Sequence, residues 1–364
     1  MRFGLSEEQR LLQDTLKRVL DEYAPLETVR LAVAGDAQPG RALTATLVEL
    51  GVPGLLVPHN FGGLGLGMLD AALSAEALGA HVAPVAYLAP LVIAPTAVRL
   101  GASPEQQSDW MPKIASGEMR FSVGVTERCG ARGGRGIRAD DERLSGEALF
   151  VIDNTGATDY LLADTTGALY RIANDDPGVT VTQLTTVDKT RSYCVLTLDG
   201  AHGELLPTSV DDDQVIGSAI AVGRIAVAAD TLGAAQTMLD RAVAYAGERE
   251  QFGRVIGSFQ AVKHMCAEMA AALEPCRAMV WHAAHAQDAI PDEALLLACH
   301  AKAHLGEVGK RVARIATEVH GGMGFTDLLG LHYWFKRIGV NRQTLGSPEQ
   351  AREDAARLQG WVTA

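Results

Sequence analysis

Cysteine is sparse and unpatterned in this chain. Its five residues (Cys129, Cys194, Cys266, Cys276 and Cys299) are odd in number, scattered, and show no C-x-x-C spacing. That excludes a disulfide framework and a ribbon-type zinc site, and it fits a reducing, cytoplasmic compartment. Cations are also short: 32 Lys and Arg stand against 44 Asp and Glu, for a formal charge of −12 and a pI near 5.3. Without a basic stripe a nucleic-acid face is excluded, and any acidic cofactor must be met by a few placed cations. The opening "MRFGLSEEQR" lacks the charged-then-apolar order of a secretory signal; Ser6 followed by acids reads as a helix start. The one long run without charge, residues 82–98, contains Pro84, Pro90 and Pro95. Prolines at that spacing argue against a membrane span and for a buried connection.

What is abundant is apolar surface. Hydrophobic residues make up 48% of 364, enough for a large core and for more than one structural unit. Up to about residue 116 the apolar residues recur at helical spacing, as where Leu11, Leu12, Leu16, Val19 and Leu20 share a face. Residues 117–208 switch to short alternating runs, "RFSVGVTE", "LSGEALFVID" and "SYCVLTL", divided by Gly, Asp and Asn turns. From 209 to 364 the helical period returns in long segments near 212–247, 258–289 and 291–318, with a shorter pair near 327–338 and 348–360. The expected fold is therefore mostly α with a small, barrel-like middle β domain between an N-terminal helical domain and a C-terminal long-helix bundle. Helices so rich in Ala, Val, Leu and Met on more than one face are expected to pack in a bundle and to leave surface for another subunit.

Three patterns have bland readings. "GGLGLG" at 62–67 does not have the G-x-G-x-x-G spacing and follows no β-run, so it reads as a turn between helices. His282 with His285, and His300 with His304, lack a third ligand at motif spacing and read as helix-surface or interhelix hydrogen-bonding histidines rather than a metal site. "GARGGRGIR" at 130–138 is a single glycine-rich basic run in an acidic chain and reads as a loop.

Two further stretches carry chemistry. In "EREQFGRVIGSFQ" (248–260), Arg249 offers a permanent forked cation suited to a pyrophosphate. Phe252 offers an apolar wall for a purine or ribose, and Gln260 paired donors and acceptors. In "ATEVHGGMGFT" (316–326), Gly321, Gly322 and Gly324 let backbone amides approach phosphate without an intervening Cβ. Each stretch alone reads as well as a helix cap.

These two motifs, the order of helical, strand and helical segments, and "VPHNFGGLGLGMLDAALSAEALG" resemble the acyl-CoA dehydrogenase family over nearly the whole chain. The resemblance implies an FAD whose adenosine diphosphate half is held by Arg249, Phe252, Gln260 and the glycines, while its ring lies in a neighbouring subunit. The family's reaction needs a glutamate to take the α-proton of an acyl-CoA thioester while the β-hydride leaves to the flavin. Here the two family positions for that base hold Gly223, before Arg224, and Leu345, so the chain has no catalytic base of its own. The flavin-facing stretches differ as well: "TERCGARGG" lacks the family's proline and Ser-Asp, and "FVIDN" puts Phe150 for Trp and Ile152 for Thr.

The clamp for a neighbour's FAD is kept and the chain's own ring and base positions are altered. The resemblance thus implies the subunit without catalytic base of a heteromeric, α2β2 acyl-CoA dehydrogenase, such as those acting on steroid side-chain CoA esters. Its expected partners are a paralogous subunit carrying the catalytic Glu, an acyl-CoA bound on that side, and electron-transfer flavoprotein or a similar acceptor. The alternatives are a homo-oligomeric enzyme whose base has moved to Glu127 or Asp230, and a flavin-free scaffolding subunit. Glu318 stands where a pyrophosphate would find it unwelcome unless paired, and Arg314 one turn earlier is the expected partner.

Overall fold

Ser6 opens the first helix through a reciprocal box: its hydroxyl accepts from Gln9 N at 3.2 Å, and Gln9 Oε1 accepts from Ser6 N at 3.0 Å. The computed structural model describes residues 4–130, 136–208 and 211–362. The N-terminal helices are α1 (Glu7–Tyr23), α2 (Leu26–Val33), α3 (Gln38–Glu49), α4 (Met68–Ala80), α5 (Ala94–Gly101) and α6 (Pro104–Ala115). The "GGLGLG" turn lies between α3 and α4, with Gly62 and Gly65 at φ 82° and 56°, where a Cβ is disfavoured.

The proline-interrupted run is buried, as the sequence reading expects, but its second half is helical. Leu88–Ile93 forms a π-helical turn that leads directly into α5, and all six of its residues are buried. A wide turn accommodates Pro90, which cannot donate a backbone hydrogen bond, and Pro95 sits in the first turn of α5, where no donor is needed.

Among the described residues eight strands follow: β1 (Phe121–Gly124), β2 (Ile137–Asp140), β3 (Arg143–Ile152), β4 (Asp159–Ala163), β5 (Leu169–Ala173), β6 (Val179–Leu184), β7 (Tyr193–His202) and β8 (Glu204–Leu205). They form one sheet in the order β6-β7-β3-β1-β4-β5-β8, with β2 on β3. All pairs are antiparallel except β1 with β4. Alternate residues of these strands, among them Leu144, Val151, Leu162, Ile172 and Leu196, form a core of their own.

The C-terminal helices are α7 (Asp212–Glu248), α8 (Gln260–Ala289), α9 (Pro291–His320), α10 (Leu331–Gln343) and α11 (Pro348–Leu358). Between α7 and α8 lies a small hairpin of β9 (Glu250–Gln251) and β10 (Arg254–Val255). At 1.5 Å per residue α7 spans roughly 55 Å. It is long and apolar enough to cross a membrane, yet 89% of its most apolar stretch is buried inside this chain. It packs on α4, α8, α9 and α10, and the approach to α4 is backbone to backbone. A Cβ on Gly79 would overlap Asp230 O, and one on Gly233 would overlap Glu76 O. Glycine at these two crossing points lets the N-terminal and C-terminal helices share one core.

Candidate functional site

Two places are marked by chemistry: the end of α7 with the turn after α9, and the middle of α7 with the turn after α10. At the first, Arg249 caps α7 in extended conformation, and its N–H donates to Tyr245 O at 2.8 Å. The hairpin turns at Phe252 (φ 55°) and Gly253 (φ 74°), two consecutive left-handed residues whose twist suits a tight hairpin. A left-handed phenylalanine is uncommon, and this one is 92% exposed, its ring edge-on to Phe259 at 6.1 Å. Among the described residues the Arg249 side chain makes no hydrogen bond or ion pair, and it is exposed. Gln260, also exposed, is the first residue of α8. Behind the hairpin an open, mainly apolar cleft of about 480 Å³ is lined by Val243, Gly247, Val255, Val262 and Cys266.

Helix α9 ends at His320, and Gly321 leaves it with φ 57°, ψ −139°, a conformation that favours glycine. Beside both Gly321 and Gly322 there is open space where a Cβ would stand. Gly324 differs: it is buried, and a Cβ there would meet Thr317 O at 2.7 Å, so packing demands this glycine. The two motifs are joined by Tyr245, whose ring stacks on His320 at 4.6 Å and 25°. Burial of His320 favours its neutral form, and Nδ1 faces Ala316 O at 2.7 Å. Glu318 is held by Arg314 Nε at 3.1 Å, the pairing its position required.

An FAD fits this end of the molecule by its diphosphate half: an unengaged forked cation, an exposed aromatic face and an open glycine turn share one surface. The phosphates would face Arg249 and the Gly321–Gly322 amides, with Phe252 and Gln260 available to the nucleoside.

The second place is packed shut. Gly223 is buried in α7, and a Cβ there would overlap Leu345 Cδ1 and lie 3.0 Å from Ile93 Cδ1. Leu345 is itself 1% exposed and adopts φ 58° in the turn after α10. Two cations hold that turn. Arg224 Nε donates to Leu345 O at 2.9 Å while its Nη2 pairs with Asp354 at 2.6 Å. Lys302, buried in α9, donates to Asn341 O and Arg342 O at 2.9 Å each, closing the C-terminus of α10. Burial, with Arg224 nearby, pushes the Lys302 ammonium down to about 7.

The two alternative base positions are engaged elsewhere. Asp230 is 1% exposed and takes Arg191 at 2.6 Å, Arg337 at 2.9 Å and Asn341 at 2.6 Å. Burial alone would raise its pKa, but the two guanidinium groups hold it below the ordinary carboxylate range. Glu127 accepts from Leu149 N at 2.6 Å. Ile152 is 1% exposed in the main core, and Phe150 sits half-buried at φ 51° beside a register shift between β3 and β7. Residues 131–134 of the "RCGARGG" stretch (128–134) lie outside the described residues.

Sequence reasoning passed over Tyr245, Lys302, Arg191 and Arg337. Tyr245 stands one turn before Arg249, a spacing that could have flagged it. Lys302 is the lone cation in the buried stripe of α9, visible in "HAKAH" but overshadowed there by the histidines.

Comparison with known proteins gives a consistent picture. The family described as "Acyl-CoA dehydrogenase, N-terminal domain" matches residues 6–118, and "Acyl-CoA dehydrogenase, C-terminal domain" matches 214–359. Acyl-CoA dehydrogenase FadE27 of Mycobacterium tuberculosis is 30% identical, aligned over 84% of each chain. Acyl-CoA dehydrogenase IpdE2 of Mycolicibacterium smegmatis is 29% identical over 98% of this chain and 100% of its own length. Among solved structures, a chain of the ChsE4–ChsE5 complex from Mycobacterium tuberculosis superposes with TM-score 0.89 at 27% identity over 100% of both chains. A Tcur3481–Tcur3483 steroid ACAD variant superposes with TM-score 0.87 at 28% identity, covering 97% of this chain and 98% of its own.

Proposed function

The chain belongs to the acyl-CoA dehydrogenase family, FAD-dependent oxidoreductases acting on CH–CH bonds, and from that premise we propose that it is the subunit of a heteromer that lacks the catalytic base. The observation that carries this reading is the contact between Gly223 and Leu345. The two positions where the family's glutamate is expected meet at one point, and neither residue can accept a proton. Ile93 stands next to the same point, so a side chain longer than hydrogen at 223 would crowd it as well as Leu345. Asp230 and Glu127 are no substitutes: the first neutralises two buried arginines, and the second caps a strand amide.

FAD, when bound, supplies the acceptor for the two electrons removed from the acyl chain. This chain's share is binding. Arg249 counters pyrophosphate charge, the Gly321–Gly322 amides approach it, and Phe252 and Gln260 flank the nucleoside of a cofactor whose ring lies in the partner. The paralogous partner brings the glutamate and the acyl-CoA, and electron-transfer flavoprotein or a similar acceptor collects the electrons. The solved relatives include a two-component complex and a steroid ACAD, which supports an α2β2 assembly and a steroid side-chain CoA ester as substrate.

The test is co-expression with a glutamate-bearing paralogue and recovery of the mixed complex through a tag on this chain. Arg249→Ala in this chain is expected to strip flavin from that complex. Unchanged flavin content would leave the chain as a scaffold.

A further inference from the structure

The glycine turn after α9 is fixed at both ends by residues outside the two motifs. At its start, His320 is stacked on Tyr245, one helical turn before Arg249. At its far side, Arg30 of α2 reaches across the molecule and donates through Nη2 to Asp327 O and to Leu328 O, the latter at 2.9 Å. Arg241 of α7 donates to Leu329 O at 3.1 Å and lies 4.2 Å over the Trp334 ring. Three consecutive carbonyls are thus gripped from α2 and α7. Between the two anchors Gly321, Gly322 and Phe325 stay exposed.

An exposed turn with two left-open glycines would ordinarily sample many conformations, and ordering it on ligand binding costs conformational entropy. Anchors at both ends remove much of that cost in advance. We propose that Tyr245 and Arg30 are positioning residues that preform the turn and set its distance from Arg249, so that one diphosphate meets the cation and the amides together. Neither residue is expected to touch the diphosphate. The proposal rests on the clamp reading above.

The experiment uses the mixed complex with its glutamate-bearing partner and measures FAD dissociation by flavin fluorescence well below the melting transition, with ADP competition as a second readout. Tyr245→Leu and Arg30→Met are each expected to weaken FAD and ADP binding about tenfold, a typical cost for a lost positioning contact. Tyr245→Phe keeps the stack and Arg30→Lys keeps a donor to the carbonyls, so both are expected to retain near-native affinity. Arg249→Ala is the control. If it weakens FAD binding while Tyr245→Leu and Arg30→Met leave the affinity unchanged, the positioning proposal is overturned and the clamp reading stands. If Arg249→Ala changes nothing, the clamp reading falls and this proposal falls with it.

Discussion

Gly223 and Leu345 interlock at the residue scale, and under the proposed reading a carboxylate restored at 223 is expected to be unproductive. Any side chain at 223 would displace Leu345 Cδ1 and crowd Ile93. Gly223→Glu is therefore expected to give no acyl-CoA-dependent turnover in the isolated chain, and to lose about 1–3 kcal/mol of stability by overpacking. Dye reduction and a melting curve on that variant check both halves. Lys302 has a different signature. Unfolded, a lysine keeps its proton to about pH 10.4. Folded, Lys302 is pushed down to about 7, first by burial and then by Arg224 and Arg342, against the opposing pull of Cys129 and Glu349. Folding thus releases a proton between those values, so this group's contribution is least favourable below pH 7 and improves as pH rises toward 10. Cys129 works the other way at the upper end, since burial pushes its thiol up to about 12 and favours a protonated form that the unfolded chain gives up near pH 8.5–9. The comparison to make is melting temperature against pH for wild type and Lys302→Met. The variant is expected to lose the rise between pH 7 and 8.5; equal slopes would contradict a depressed Lys302.

Among the elements, α7 decides the architecture, because it touches the N-terminal helices, the other long helices and the loop after α10. Gly233 and Gly79 permit its closest crossing. Gly233→Ala is expected to cost about 3 kcal/mol, the upper end for overpacking, because the atom in the way is the Glu76 carbonyl and not a flexible side chain. Denaturant midpoints would measure it; a neutral result would mean that α4 and α7 can slide apart. The long helices were legible in the sequence because their apolar residues repeat at helical period over thirty or more positions. Their bounds, Asp212–Glu248, Gln260–Ala289 and Pro291–His320, fall within a few residues of the expected ranges. The proline-interrupted run was less legible, since proline argues against helix locally while tertiary burial favours one. Asp230 was open to misreading as a base for a related reason: its partners Arg191 and Arg337 lie 39 and 107 residues away in sequence.

For the whole molecule, the buried cluster of Asp230, Arg337, Arg191 and Asp188 ties the strand region to the C-terminal helices, and Arg337 also donates to Ala83 O of the N-terminal region at 2.9 Å. Three regions are thereby tied together, while Arg249, Phe252, Gly321 and Gly322 are left exposed. The two motifs proposed as a clamp stand out in the sequence because each is a local run of unusual residues. The closing of the other site does not, because Gly223 and Leu345 meet only through the fold. An exposed Arg249 at the end of α7, together with a closed Gly223–Leu345 contact in its middle, is what supports the proposal of an unlike partner. The most direct measurement is flavin content and acyl-CoA-dependent dye reduction of this chain purified alone and, in parallel, with a glutamate-bearing paralogue. The account expects no turnover and no stoichiometric flavin alone, and a yellow, active complex with one FAD per pair of unlike subunits. A yellow, homogeneous oligomer of this chain that reduces dye with an acyl-CoA would contradict it.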